Sequence, residues 1–186
     1  MGDDGVCRFL FVGRIMKEKG VDEFFSAAKA LKAEFGEKVA FDVVGFYEDA
    51  YKEQVDQLVA DGVVRFHGFQ TDVHPFYEAA DCVVLPSYHE GMSNVLLEGA
   101  ATGRTLITSD IPGCCEAVED GVSGYLCPAQ DVEGLTRAMR DFARQSFGRQ
   151  VQMGQSGRAL VECRFDKRLV GAQTMEGLGL PAAVRS

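Results

Sequence analysis

The chain has 186 residues, of which 46% are hydrophobic and 25% are charged. This length provides one substantial core, or two small ones at most, and the composition argues against disorder, collagen and coiled coil. The net charge of −9 argues against nucleic acid and anionic membrane surfaces as partners, because no basic run offsets it.

Short apolar runs alternate with helix-type spacing along the chain. The predicted strands are 7–12, 39–44, 63–66, 82–85, 105–108 and 124–127. The predicted helices begin near Val21, Tyr51, Asp72 (as the N-cap), Asn94, Glu116 and Asp131. This alternation predicts an α/β fold: a Rossmann-like, doubly wound parallel sheet of about six strands with helices on both faces. Ligands are then expected at the carboxyl ends of the strands.

The ends of the chain are less informative than its middle. Residues 1–5 are polar and precede a strand directly, which indicates a cut or frayed start. Residues 6–165 are expected to form one domain. From Arg149 onwards the apolar pattern weakens; helices are expected there, with no packing partner predicted.

The cysteines do not predict a metal site. None of the six lies in a Cys-x-x-Cys pair, and the three histidines lack ligand spacing. We interpret them as reduced thiols of a cytoplasmic protein without a bound metal.

A glycine-bracketed cationic loop follows the first predicted strand. Gly13 and Gly20 enclose Arg14, Lys17 and Lys19, directly before a helix. A helix start attracts anions, and these cations suit a phosphate group; an ordinary solvated turn is the alternative. The loop matches neither a P-loop nor a dinucleotide-binding fingerprint.

Two carboxylates follow the fourth predicted strand. Glu90 lies in the loop, Glu98 lies in the next helix, and Ser93 or Asn94 can cap that helix. Carboxylates beside an anion site suit a ligand that also carries hydroxyl groups. The alternative is a capping loop followed by an exposed glutamate.

Together the two loops resemble the C-terminal half of a retaining GT-B glycosyltransferase of family 4, the glycosyl transferases group 1. The Glu90-x7-Glu98 element carries most of the resemblance, which covers residues 6–145. Further matching segments are Phe66–Phe69, Glu98–Gly103, Ser109–Gly113 and Asp120–Leu126. The amino-acid sequence of residues 90–113 is most similar to those of bacterial capsule, exopolysaccharide and lipid-linked-sugar transferases.

The resemblance implies a role for each site residue. The implied catalytic residues are Arg14 and Lys19, which would hold the donor diphosphate, and Glu90, which would face the sugar hydroxyls. Glu98 would bind the ribose. The other implied binding residues are Gly13, Phe69, Gln70, Gly91, Met92, Ser93, Asn94 and Val95, with Phe69 and Gln70 near the base. The implied donor is a nucleotide-diphosphate sugar, and UDP is expected as its nucleotide in preference to GDP or ADP.

The implied reaction transfers a hexosyl group, with retention and without metal or cofactor, to a glycan or lipid-linked acceptor. The acceptor would bind a missing N-terminal domain, to which a tail helix at 166–186 would cross. The chain alone would therefore be inactive. The full protein would be cytoplasmic, and any association with the inner face of the membrane would come from the missing half.

Some positions depart from the family. Gly99 replaces the usual alanine, Thr105 the usual proline, and Met92-Ser93 the common aromatic-proline pair. Two other interpretations stay open: a GT-B sugar-nucleotide epimerase and a non-enzymatic Rossmann-like binding module.

Overall fold

The structure, a computed structural model, describes residues 4–165 and consists of one six-stranded parallel sheet covered by helices. The strands are β1 (Cys7–Val12), β2 (Val39–Val44), β3 (Arg65–Phe66), β4 (Cys82–Leu85), β5 (Thr105–Ser109) and β6 (Gly124–Cys127). The helices are α1 (Val21–Phe35), α2 (Lys52–Ala60), α3 (His74–Ala79), α4 (Asn94–Ala101), α5 (Val132–Ala143) and α6 (Phe147–Phe165). The predicted fold class is confirmed.

The strand order is β3-β2-β1-β4-β5-β6, so the chain reverses its direction across the sheet between β1 and β4. The connections that follow β1 and β4 therefore diverge to opposite sides and leave a crevice between them. Both predicted site loops lie at this point. Helices α1 and α5 pack against each other, and α4 packs against α6, so that both faces of the sheet are covered.

Phenylalanine rings fill the core beneath α1 and α5. The Phe9 and Phe41 rings stack across β1 and β2, with centroids 5.4 Å apart. Phe142 of α5 meets Phe9 edge-on at 5.9 Å, and Phe24 of α1 lies 5.4 Å from Phe11. These pairs fix the faces of α1 and α5 against β1 and β2, whose carboxyl ends lie at the edge of the sheet that carries the predicted site loops.

Several predicted boundaries are wrong. The third strand has only two residues, Arg65–Phe66, at the edge of the sheet. Helix α3 begins at His74, because the Asp72 carboxylate accepts the His74 N–H (3.0 Å) before the helix starts. The helix predicted at 116–119 is a single 3₁₀ turn at Cys115–Ala117.

Helix α6, for which the sequence predicted no partner, packs on α4 and β5. Thr105 Oγ1 in β5 donates to the Gln150 carbonyl of α6 at 3.3 Å. At the far end of α6, Arg164 Nη1 donates to the Glu116 carbonyl at 3.1 Å. The helix therefore runs along the sheet and ends near the carboxyl ends of the strands.

Buried Gly99 leaves room for side chains of β4 and β5. A Cβ there would lie 2.9 Å from Val83 Cγ2 and 3.1 Å from Leu106 Cδ2. Those side chains fill the space of the usual alanine methyl group, which accounts for this departure from the family pattern.

The predicted tail helix at 166–186 lies outside the described residues, as do residues 1–3. Within residues 4–165, none of the helices is long and apolar enough to cross a bilayer.

Gly154→Ala should lower the free energy of unfolding by about 1–3 kcal/mol, because the new Cβ would lie 2.0 Å from the Gly103 carbonyl oxygen. Gly148→Ala in the same helix is the matched control, since nothing lies within 4 Å of its added Cβ. The control should be neutral or stabilising by up to about 1 kcal/mol. Urea unfolding of both variants measures this, and equal stabilities would contradict the packing of α6.

Candidate donor-binding site

The loops that follow β1 and β4 contact each other directly. A Cβ on Gly20, just before α1, would lie 1.9 Å from the Pro86 carbonyl oxygen, and Gly20 has a φ of +68°. On the other side, a Cβ on Gly113 would lie 1.6 Å from the Gly91 carbonyl oxygen. Glycine thus permits close packing of three neighbouring loops along the edge of the sheet.

Lys19 and Glu90 form an ion pair at the centre of this edge. Lys19 Nζ lies 2.6 Å from Glu90 Oε1, and the two side chains are 23% and 13% exposed. Ser87 Oγ donates to the same carboxylate oxygen at 2.9 Å. Among the described residues no hydrogen-bond donor reaches Oε2, so that oxygen is free to accept from a ligand.

Arg14 is exposed and close to the same edge. No hydrogen bond or ion pair joins its guanidinium to any residue within 4–165, so its donors are available to an anion. Its neighbour Ile15 donates a backbone hydrogen bond to the Phe46 carbonyl (2.9 Å), which aligns this loop with the one after β2.

Two exposed phenylalanines lie beyond Arg14, at the ends of β2 and β3. Phe46 is 51% exposed and Phe69 is 67% exposed, with ring centroids 6.5 Å apart. The predicted residue Gln70 donates its amide to the His67 carbonyl (2.7 Å), so this donor is engaged by the backbone. Phe46 is not among the residues predicted from the sequence, because the loop after β2 was not expected to contribute, although that strand also ends at this edge.

Buried Tyr77 holds the exposed carboxylate of Glu98. The Tyr77 hydroxyl donates to Glu98 Oε2 at 3.1 Å. Burial raises the pKa of Tyr77 far above its usual value, and the Glu98 charge raises it further, so the phenol remains a donor at neutral pH. Glu98 therefore has an oriented carboxylate on α4.

The start of α4 offers backbone donors. Ser93 is the N-cap, with Oγ accepting from Leu96 N at 3.5 Å, while its own N–H donates to the Gly113 carbonyl (3.1 Å). Its hydroxyl is thus engaged in capping. Within the described part of the chain, the N–H groups of Asn94 and Val95 have no partner and stay available for an anion.

Cys114 is buried beside the Lys19–Glu90 pair. Burial raises the pKa of its thiol to about 11; Glu90 also raises it, whereas Thr108 and Lys19 oppose the rise. The thiol is thus neutral at physiological pH.

The chain has clear relatives. The family described as Glycosyl transferases group 1 matches residues 7–145. Glycogen synthase of Mycobacterium tuberculosis is 31% identical over 175 residues, which cover 92% of this chain and 42% of that protein. The chain therefore spans less than half the length of that curated relative.

Solved structures share the fold. The structure of HepE from Anabaena in complex with UDP gives a TM-score of 0.81 at 22% identity, covering 94% of this chain and 49% of that one. The C-terminal domain of LpcC, a glycosyl transferase group 1 family protein from Francisella tularensis, gives 0.76 at 24% identity and covers 87% of both chains. The described residues therefore share the fold of these two structures.

The wild-type chain should lose more stability between pH 9 and 11 than Cys114→Ala. An unfolded thiol titrates near the ordinary value of 9.0 and the folded one at about 11, so native stability is retained below pH 9 and lost as the pH approaches 11. The difference should reach about 2 kcal/mol at pH 11. Urea unfolding under reducing conditions at pH 8 and pH 11 measures it; parallel pH dependences would place Cys114 in a more solvated environment.

Proposed function

Because this chain belongs to the family of glycosyl transferases group 1, we propose that residues 6–165 bind the nucleotide-diphosphate sugar donor of a glycosyltransferase. The observation that carries the proposal is the Lys19–Glu90 pair at the point between β1 and β4 where the sheet reverses direction. The pair brings together a cation that suits phosphate and a carboxylate that suits hydroxyl groups.

The order of groups along the edge of the sheet supports a ligand with three chemically different parts. The exposed rings of Phe46 and Phe69 suit a base, which presents a flat apolar face. Arg14 and Lys19 come next and suit a diphosphate. Glu90 and Glu98 supply acceptors for hydroxyl groups of the transferred sugar and the ribose.

The proposed chemistry is electrostatic. As the bond between the sugar and the diphosphate breaks, negative charge grows on the leaving phosphate. Arg14, Lys19 and the N–H groups at the start of α4 are positioned to stabilise that charge without moving far. We propose that these protein groups take the place of a metal ion, and that transfer proceeds with retention.

Donor binding changes the partners of Lys19. Without a donor its ammonium group contacts Glu90, and a diphosphate would compete with that carboxylate. Ser87 remains on Glu90 Oε1, so the carboxylate keeps a fixed position from which to accept from the sugar. Nucleotide alone and nucleotide-sugar should therefore respond differently to changes at Glu90.

We propose UDP as the donor nucleotide, since HepE, whose fold this chain shares, was crystallised with UDP. The proposed acceptor is a glycan or a lipid-linked glycan on the cytoplasmic side, held by a part of the protein beyond these residues. Transfer by the full protein rests on the family; the donor-binding step rests on the residues described above.

Arg14→Ala and Lys19→Ala should each weaken UDP binding about ten- to hundredfold, because each removes a charge-assisted contact worth about 1.5–3 kcal/mol. Lys29→Ala is the control, since it removes the same charge from an exposed position farther along α1. Titration calorimetry with UDP distinguishes the three variants. Wild-type affinity in Arg14→Ala and Lys19→Ala would exclude the phosphate assignment.

Glu90→Gln and Glu98→Gln should have opposite effects on UDP. Glu90→Gln frees Lys19 from a partly exposed ion pair and should tighten UDP binding about threefold, while weakening UDP-glucose binding about tenfold. Glu98→Gln should weaken both ligands about tenfold, because it loses a charged acceptor for the ribose. Calorimetry with the two ligands tests this, and equal losses of both in both variants would refute the separate roles.

A further inference from the structure

Tyr88 fastens the loop after β4 to the start of α1 at two points. Its backbone N–H donates to the Glu18 carbonyl at 2.8 Å, and its hydroxyl donates to Glu23 Oε1, also at 2.8 Å. Glu18 precedes Lys19 in the chain, and Tyr88 is two residues before Glu90. These contacts therefore connect the short segments that carry the two members of the central ion pair.

The anchor on the α1 side is a buried carboxyl group. Glu23 is only 7% exposed, and within residues 4–165 its second oxygen, Oε2, has no hydrogen-bond partner. The Tyr88 hydroxyl is the one side-chain donor that the described residues supply to this group. A buried carboxyl group is costly when it is poorly paired, so the contact constrains where Tyr88 can lie.

We propose that Tyr88 is a positioning residue that holds Glu90 against Lys19, so that the carboxylate and the ammonium group face the donor together. The inference rests on the proposed function, because the two groups matter as donor-binding groups. Ser87 Oγ orients the carboxylate within its own loop, whereas Tyr88 sets the position of that loop relative to the cationic segment. Tyr88 itself does not need to touch the donor.

The chain contains a matched control. Tyr51 presents its hydroxyl to Asp22, the residue before Glu23, at 3.1 Å. Tyr51 comes from the segment before α2 and, among the described residues, makes no hydrogen bond to the loop after β4. Tyr51→Phe therefore removes the same group from the same turn of α1 without releasing that loop.

The test is a double-mutant cycle with UDP as the probe, measured by calorimetry on the 186-residue chain. Glu90→Gln is made in the wild-type, Tyr51→Phe and Tyr88→Phe backgrounds. It should tighten UDP binding about threefold in the first two backgrounds and less than about 1.5-fold in Tyr88→Phe. The smaller effect is expected because Glu90 would already have left Lys19. A general loss of structure would lower the UDP affinity of Tyr88→Phe equally with and without Glu90→Gln. The ratio of the two affinities would then stay at threefold.

Hydrogen exchange without ligand gives a second, independent readout. The amides of residues 88–90 should exchange faster in Tyr88→Phe than in Tyr51→Phe. An unchanged threefold effect of Glu90→Gln in the Tyr88→Phe background would overturn the inference.

If the wild-type chain binds no UDP, the proposed function fails. If Glu90→Gln has no effect on UDP binding in the wild-type background, the proposed competition between Glu90 and the diphosphate for Lys19 fails. Exchange then decides the inference: faster exchange supports it and equal exchange overturns it. Should Tyr88→Phe not fold, the double variant Tyr88→Phe/Glu23→Leu takes its place, because it also removes the buried carboxyl group. The effect of Glu90→Gln on UDP affinity is then measured in that background.

Discussion

The backbone contact between Gly20 and Pro86 sets the distance between the loops after β1 and β4. The geometry of the rest of the site depends on that distance. The loops after β1 and β4 begin at neighbouring strands, and a side chain at position 20 would meet the Pro86 carbonyl. Lys19 directly precedes this contact and Glu90 follows it closely, which allows a 2.6 Å ion pair between residues 71 positions apart. A bulkier residue at position 20 would have to separate the loops, and with them the charges.

An acidic chain can still have a cationic region at one edge of its sheet, because the effect of a charge is local. The first turn of α1 contains Asp22 and Glu23, which would repel a phosphate placed at the same helix start. Each carboxylate accepts a hydrogen bond from a tyrosine, Tyr51 or Tyr88, which orients the group but does not remove its charge. Meanwhile Arg14 has no acidic partner among the described residues, so its charge is not neutralised. The net charge of −9 therefore says little about this edge of the sheet.

Much of the fold and part of the site could be predicted from the sequence. Alternating buried strands and amphipathic helices leave few topologies, and the loops after β1 and β4 then meet by necessity. The pairing of Lys19 with Glu90 could not be predicted, since it depends on loop geometry. Phe46 could not be predicted because it is not a charged residue of the kind that marked the other site positions. The third strand is short because it lies at the edge of the sheet, where only β2 supplies hydrogen bonds. The assigned roles of Arg14, Lys19, Glu90 and Glu98 stay predictions that the proposed titrations address.

Helix α6 runs along the sheet, and its last turn lies near the carboxyl ends of the strands. Its last turn contacts the Glu116 carbonyl through Arg164, and the loop before Glu116 packs on Gly91. Cys163 is exposed in the same turn, Cys115 is half-buried, and Cys7, Cys82, Cys114 and Cys127 are buried, so labelling at Cys163 alone requires Cys115→Ser. A fluorophore attached at Cys163 would thus sit beside the rim of the crevice while leaving its charged groups untouched. The native sequence already contains an attachment point for an optical reporter of ligand occupancy.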